Sequence, residues 1–249
     1  MRTRIELRAK ELIQTAQPKP LYVGLIFLAL SVFFSILSSR IVGVNVTMDK
    51  LQDYMTSYFQ GNFNAASRIV LSMQPPASAY LIDMLLNAAL GIVYAGFVLF
   101  LLNTVRGLAA SAGNLLDGFG IVLRVLLLML LEGLFFFLWS MLFVIPGIIA
   151  LYRYRQAIYL LIDHPEMSAL DCIRESKRMM QGHKWELFVF DLSFIGWYLL
   201  SLIPILGYVV LVWFTPYKEM SYALYYEWLR GANIYDRQTP QAGNTPNMF

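Results

Sequence analysis

Charge is what this sequence has least of. Only 14% of its 249 residues are Asp, Glu, Lys or Arg, against about 25% in soluble domains. A soluble fold of this length needs a polar surface that so few charges cannot cover. Cysteine is nearly absent as well: Cys172 stands alone, which excludes an intramolecular disulfide. Histidine is limited to His164 and His183, in no HExxH arrangement, so no metal site with the usual ligand spacing is expected. No GxSxG elbow, Walker loop or Rossmann fingerprint occurs, so no catalytic residue and no cofactor is assigned, and the chain is expected not to be an enzyme. Asp163-His164 has the form of a carboxylate-oriented base, but a helix end near lipid headgroups explains it more simply. The basic residues sit where membrane topology would put them, which argues against nucleic-acid binding.

What the sequence has in abundance is apolar length. Hydrophobic residues make up 58% of it, against roughly 45–50% in soluble domains. They come in continuous rather than alternating runs. In lipid every backbone polar group must be satisfied internally, so these runs predict helices rather than a barrel. A crossing needs about 20 apolar residues. By that measure the expected fold is all-α: a polytopic transmembrane helical bundle of about six spans, with amphipathic interfacial helices. A leader, 1–20, precedes a membrane domain, 21–229, and a disordered tail, 230–249, follows it. The spans are expected at about 21–38, 78–102, 119–144, 147–163, 185–203 and 208–225. Pro146-Gly147 and Pro204 with Gly207 punctuate two tight hairpins, spans three–four and five–six.

Orientation follows from the Lys/Arg bias of short loops. Arg2, Arg4, Arg8, Lys10 and Lys19 precede span one. Arg174, Lys177, Arg178 and Lys184 lie between spans four and five, and Arg230 and Arg237 follow span six. With six spans all three segments share one side, the cytoplasm, and both termini are cytoplasmic.

Outside the spans, three segments carry amphipathic patterns. Ile5, Ala9, Leu12 and Ala16 share one helical face of the leader, which predicts a short helix on the inner membrane surface; a solvated leader that only sets topology is the bland alternative. Leu51, Tyr54, Met55, Tyr58 and Phe59 form an apolar stripe at i, i+3, i+4, i+7 and i+8. That stripe suits the membrane interface or a cap on the bundle. Between spans four and five, Ser168 with Asp171 signals a helix start and Gly182 a stop. The resulting cytoplasmic helix has a charged face with Asp171, Arg174, Glu175 and Arg178. Its cations Arg174, Lys177 and Arg178, with Lys184, are candidate contacts for anionic lipid headgroups. The Gly/Ala/Ser-rich run Gly107–Gly120 reads as an inner connection, with a re-entrant element as the alternative.

Ionisable residues inside the apolar runs are expensive and usually have partners. Asp83, Asn87, Arg124, Glu132, Arg153, Arg155 and Asp191 form the candidate intramembrane polar network. Depth along each helix, at about 1.5 Å per residue, matches Arg153 with Asp83 or Asn87, and Arg124 with Asp191. Glu132 is matched with Arg155, or else stays protonated. Such groups either line a polar pathway or fix helix register as neutralised pairs.

The residues Pro146-Gly147-Ile148-Ile149-Ala150-Leu151-Tyr152-Arg153-Tyr154 resemble the PGII-A--Y element of a bacterial membrane family. So do Ser176-Lys177-Arg178-Met179-Met180-Gln181-Gly182-His183-Lys184, then Leu187-Phe188, then Asp191-Leu192-Ser193-Phe194-Ile195-Gly196-Trp197. Thr215-Pro216-Tyr217 and Ala223-Leu224-Tyr225-Tyr226 complete the pattern. The chain thus resembles the domain-of-unknown-function family 975 of integral membrane proteins, over nearly its whole length from span one to span six. The resemblance implies a multi-pass protein of the bacterial cell membrane and no assigned activity. A more distant likeness, to the membrane part of glycerophosphodiester phosphodiesterases without their catalytic barrel, hints at lipid handling.

The expected function is a non-enzymatic envelope role, through lipid interaction or assistance to a membrane complex. The expected partners are the bilayer with its anionic lipids, and a membrane-protein partner or a second copy of the chain. A small transporter or channel using the intramembrane charges is one alternative, and an intramembrane lipid-modifying enzyme the other.

Overall fold

The structure is a computed structural model that describes residues 2–43, 47–203 and 206–231. The tail expected to be disordered lies, beyond Gly231, outside these residues, as does Pro204. Among the described residues the regular structure is all helical. Three helices are long and apolar enough to cross a membrane: Pro20–Ile41, Ala77–Arg106 and the run Asn114–Leu142. The other expected crossings differ in form. Where the sequence predicts a fourth span there are two helices, Val144–Tyr154 and Ala157–Asp163, interrupted at Arg155 and Gln156. The fifth is likewise divided, into Lys184–Leu192 and Ile195–Ser201. The sixth is continuous, Leu206–Leu229, with Pro216 inside it. Polar residues mark both interruptions within longer apolar runs, Arg153, Arg155 and Gln156 at the first and Asp191 and Ser193 at the second.

In chain order the α-helices are α1 (Arg2–Thr15), α2 (Pro20–Ile41), α3 (Met48–Phe59), α4 (Phe63–Met73), α5 (Ala77–Arg106) and α6 (Asn114–Asp117). A 3-10 turn leads into α7 (Val122–Leu142), followed by α8 (Val144–Tyr154), α9 (Ala157–Asp163) and α10 (Ala169–Met179). The last three are α11 (Lys184–Leu192), α12 (Ile195–Ser201) and α13 (Leu206–Leu229). The chain divides into two units: Met1–Leu28 with Ile92–Phe249, and Ala29–Gly91.

In the larger unit α13 is the centre. Its Tyr222, Tyr225 and Tyr226 are buried, and Phe190 and Phe194 of the α11–α12 segment pack on it edge-on or stacked. The leader is a helix with the expected apolar face, but that face meets protein rather than lipid: Ile5, Ala9, Leu12 and Ile13 are buried and α1 lies against α13. On α2, Gly24 allows a close approach to the same helix, because a Cβ there would sit 2.7 Å from Cβ of Pro216.

The α7–α8 hairpin turns at Phe143, whose backbone is extended, and not at Pro146-Gly147. Pro146 falls in the first turn of α8, where its missing N–H has no carbonyl to serve. The outward side of α7, with Leu123, Leu127, Leu130, Leu134, Leu138 and Met141, is exposed. So apolar a surface suits lipid as its solvent. The Gly107–Gly120 run connects α5 to α7 by folding back along α5. Gly107 takes a left-handed turn (φ +67), and the chain doubles back until Gly118 lies against Ile92, where a Cβ would come within 2.2 Å of the Ile92 carbonyl oxygen. Ile92 is about 21 Å along α5 from Arg106, at about 1.5 Å per residue, so the chain folds back along α5 over that length.

The smaller unit carries α3 and α4, packed on each other as a hairpin, between the second half of α2 and the first half of α5. Thr47 caps α3, its hydroxyl accepting the Lys50 N–H at 3.4 Å, and the Asn62 side chain caps α4 by accepting the Ala65 N–H at 3.2 Å.

Candidate functional site: a cationic groove beside a helix break

The site begins with a local defect. Between α8 and α9 the helix breaks, and a break leaves backbone groups without intrahelical partners. Ser176, fully buried on α10, satisfies two of them. Its hydroxyl accepts the N–H of Gln156 at 3.1 Å and donates to the carbonyl of Arg153 at 2.8 Å. α10 starts as its sequence predicts: the Ser168 hydroxyl accepts the Asp171 N–H at 3.2 Å and donates to the Asp171 carboxylate at 2.6 Å. Its apolar face of Ala169, Cys172, Ile173 and Ser176 is buried against α7, α8 and α9. α10, expected as an amphipathic helix, is packed into the bundle. Burial and the neighbouring Asp171 push the Cys172 thiol up to about 11.

Docking α10 in this way opens a groove of about 600 Å³. One wall is apolar, from Phe135, Leu138, Trp139 and Leu142 of α7. The base is Arg153 and Tyr154 of α8, and the other wall is Leu170, Ile173, Arg174 and Lys177 of α10. The Arg153 guanidinium lies over the Trp139 ring, 5.7 Å from its centroid, and its Nε is buried without a hydrogen-bond partner. Trp139 Nε1 donates to the Tyr154 hydroxyl at 3.2 Å. At the mouth, Arg174 pairs with Asp171 at 2.8 Å, while its guanidinium stays mostly in the open. Of the four cations expected at lipid headgroups, Arg174 and Lys177 line the groove. Arg178 turns aside to pair with Glu175, its Nε 2.8 Å from the carboxylate, and Lys184 opens α11. The Arg178 guanidinium holds the Glu175 carboxyl below its ordinary value.

A second polar assembly lies at the two helix interruptions. Arg155, in the first, stacks on the Tyr222 ring at 4.2 Å. Asp191, just before the second, accepts the Tyr222 hydroxyl at 2.7 Å. One tyrosine of α13 thus meets both interruptions. Glu132 and Glu219 lie within electrostatic reach of Arg155. Glu219 accepts the Tyr94 hydroxyl at 3.0 Å and pairs with Lys218 at 3.2 Å. The expected match of Glu132 with Arg155 is thus a neighbourhood and not an ion pair among the described residues. Arg124 and Asp191 are not brought together: Arg124 is exposed beside Phe119–Leu123, and Asp191 is taken by Tyr222. In the smaller unit, Ser38 donates to the Asp83 carboxylate, and Asn87 Nδ2 donates to the Asp83 carbonyl at 2.9 Å.

Residues 141–233, which hold α8 to α13 and so both helix interruptions, match the model of a family described as "Protein of unknown function (DUF975)". No curated protein and no solved structure matches the chain. The stretch of similarity is shorter than the span-one-to-span-six resemblance read from the sequence. It contains all three blocks that carry that resemblance. Nothing found supports the further likeness to glycerophosphodiester phosphodiesterases.

Sequence reasoning missed a third assembly. Arg106 at the end of α5 bonds Asp163 of α9 at 2.7 Å and Glu227 of α13 at 2.7 Å. Arg230 pairs with the same Asp163 at 2.8 Å, and the Tyr226 hydroxyl donates to it at 3.0 Å. The network ties the ends of three helices together. Its signal was present: Glu219 and Glu227 lie on one otherwise apolar helix and needed partners as much as Glu132 did.

Proposed function

We propose that this is a non-enzymatic, multi-pass protein of the bacterial cytoplasmic membrane that seats the headgroup of an anionic lipid in the groove between α7, α8 and α10. Six crossings, counting each interrupted pair as one, with both termini cytoplasmic, agree with the Lys/Arg bias of the ends. The observation that carries the proposal is Arg153. A buried guanidinium N–H without an acceptor is destabilising, and its Nε faces that situation in the groove. A phosphate oxygen is the acceptor that arginine's planar fork fits best. Arg174 and Lys177 add positive charge at the mouth. The apolar wall of α7 continues into exposed leucines, a surface for the acyl chain. A site with one charged end and one apolar wall selects an amphiphile over a free anion.

The test is stabilisation by lipid. Protein purified in mild detergent is titrated with phosphatidylglycerol or phosphatidylcholine, and its thermal unfolding is followed. Phosphatidylglycerol should raise the midpoint more than phosphatidylcholine. Arg153→Gln should weaken the apparent affinity for phosphatidylglycerol by roughly ten- to a hundredfold, the equivalent of a charge-assisted bond of about 1.5–3 kcal/mol. Equal responses to the two lipids, or an unchanged response in the variant, would count against the groove.

A second reading rests on the neighbourhood of Glu132, Arg155 and Glu219. Acidic and basic groups set along helix interruptions are what a proton or ion pathway needs. In that case Glu132→Gln, reconstituted in proteoliposomes, should abolish a proton flux that the unsubstituted protein supports. No flux in either protein removes the reading.

A further inference from the structure

The α3–α4 hairpin belongs to the smaller unit, Ala29–Gly91, and the function proposed above makes no use of it. Nothing in α3 is buried. Leu51, Met55, Tyr58 and Phe59 are exposed on one face of it. The opposite face carries Asp49, Gln52, Asp53, Thr56 and Gln60. α4 packs against α3, its Ala66 and Met73 are buried, and Phe63 and Val70, seven residues apart on one face, are in the open. Tyr58 joins the two exposed faces, its ring edge-on to Phe59 at 6.0 Å and to Phe63 at 5.6 Å. The result is a helical pair with one apolar, aromatic side and one polar side.

We propose that this hairpin lies flat in the lipid–water interface of the same bilayer, its apolar side sunk into the boundary between headgroups and acyl chains. The tethers decide the occupant. α2 ends at Ile41 and α5 begins at Ala77, and both are candidate membrane-crossing helices. Residues 42–47 and 74–76 are all that separate the hairpin from them. Each connection reaches about 20 Å or less when fully extended, so both ends of the hairpin are held at the membrane surface. An amphipathic helix so placed buries its apolar face about 5–10 Å into the interface. Tyrosine and phenylalanine on that face belong to the composition of such boundaries. An exposed apolar stripe held beside a bilayer meets lipid before it meets any diffusing protein.

The test uses spin labels on the full-length protein in nanodiscs. Cys172 is buried and its thiol is pushed up to about 11, so it resists labelling. Met55→Cys and Phe63→Cys report the apolar side, and Asp53→Cys and Arg68→Cys the polar side. All four positions are exposed, so folding should survive each change. Labels on the apolar side should relax with dissolved oxygen and be shielded from an aqueous nickel chelate, with the reverse on the polar side. Equal access of the chelate to both sides would put the hairpin in water and overturn the proposal. Apolar-side labels closed to both reagents would mean that protein covers the face, and would overturn it too.

Discussion

Ser176 shows how much one hydroxyl can carry in an apolar interior. It links Gln156 and Arg153 across the break between α8 and α9. Without it a buried N–H and a carbonyl lose their partner, and in a membrane protein no water replaces it. Ser176→Ala should therefore lower stability by about 1–3 kcal/mol, read as a lower midpoint of thermal unfolding in detergent. An unchanged midpoint would show that the break is satisfied some other way. Arg153 meets an aromatic face that depth arithmetic does not register. Its sequence position predicted a carboxylate or amide partner, Asp83 or Asn87. The structure gives it the Trp139 face and a groove shared with Arg174 and Lys177. Depth along a helix says nothing about azimuth, and azimuth decides which neighbour a side chain meets. Arg155 and Glu132 lie in adjoining parts of one hairpin, the break after α8 and α7, within electrostatic reach and without an ion pair among the described residues.

Among the elements, those with strong amphipathic patterns were the most legible. α1, α3 and α10 were all expected as helices, with their apolar faces identified. What those faces would touch was not legible, because an apolar stripe looks the same whether its partner is lipid or protein. α1 and α10 turned out to bury theirs in protein. The interruptions at Arg155-Gln156 and Ser193-Phe194 were hidden for a related reason: hydropathy registers transfer free energy and not hydrogen-bond continuity. Glycine gave a partial signal. The Gly107–Gly120 run stood out by its small residues, while on α5 the close approach is made at Ile92 and Gly96. Gly24 went unnoticed, yet it sets how nearly α2 approaches α13. Gly24→Ala would drive a Cβ to 2.7 Å from the Pro216 ring. Overpacking of this kind should destabilise by about 1–3 kcal/mol, measured as a drop in unfolding midpoint. A neutral result would mean that α2 moves away without loss.

At the scale of the whole molecule, composition settled the class: a helical chain with helices apolar enough for a membrane. The course of the helices needed the structure, because the broken helices and the doubled-back Gly107–Gly120 run follow from packing contacts far apart in sequence. The groove needed it most of all. Its three sides come from α7, α8 and α10, and only the cations of α10 were expected to meet headgroups. The central claim is that this groove selects an anionic lipid. Native mass spectrometry of the protein released from detergent with an equal mixture of phosphatidylglycerol and phosphatidylcholine tests it most directly. The account predicts one retained phosphatidylglycerol on the unsubstituted protein and its loss from Arg153→Gln. Retention of both lipids in proportion to their supply, or of phosphatidylglycerol unchanged on the variant, would contradict it.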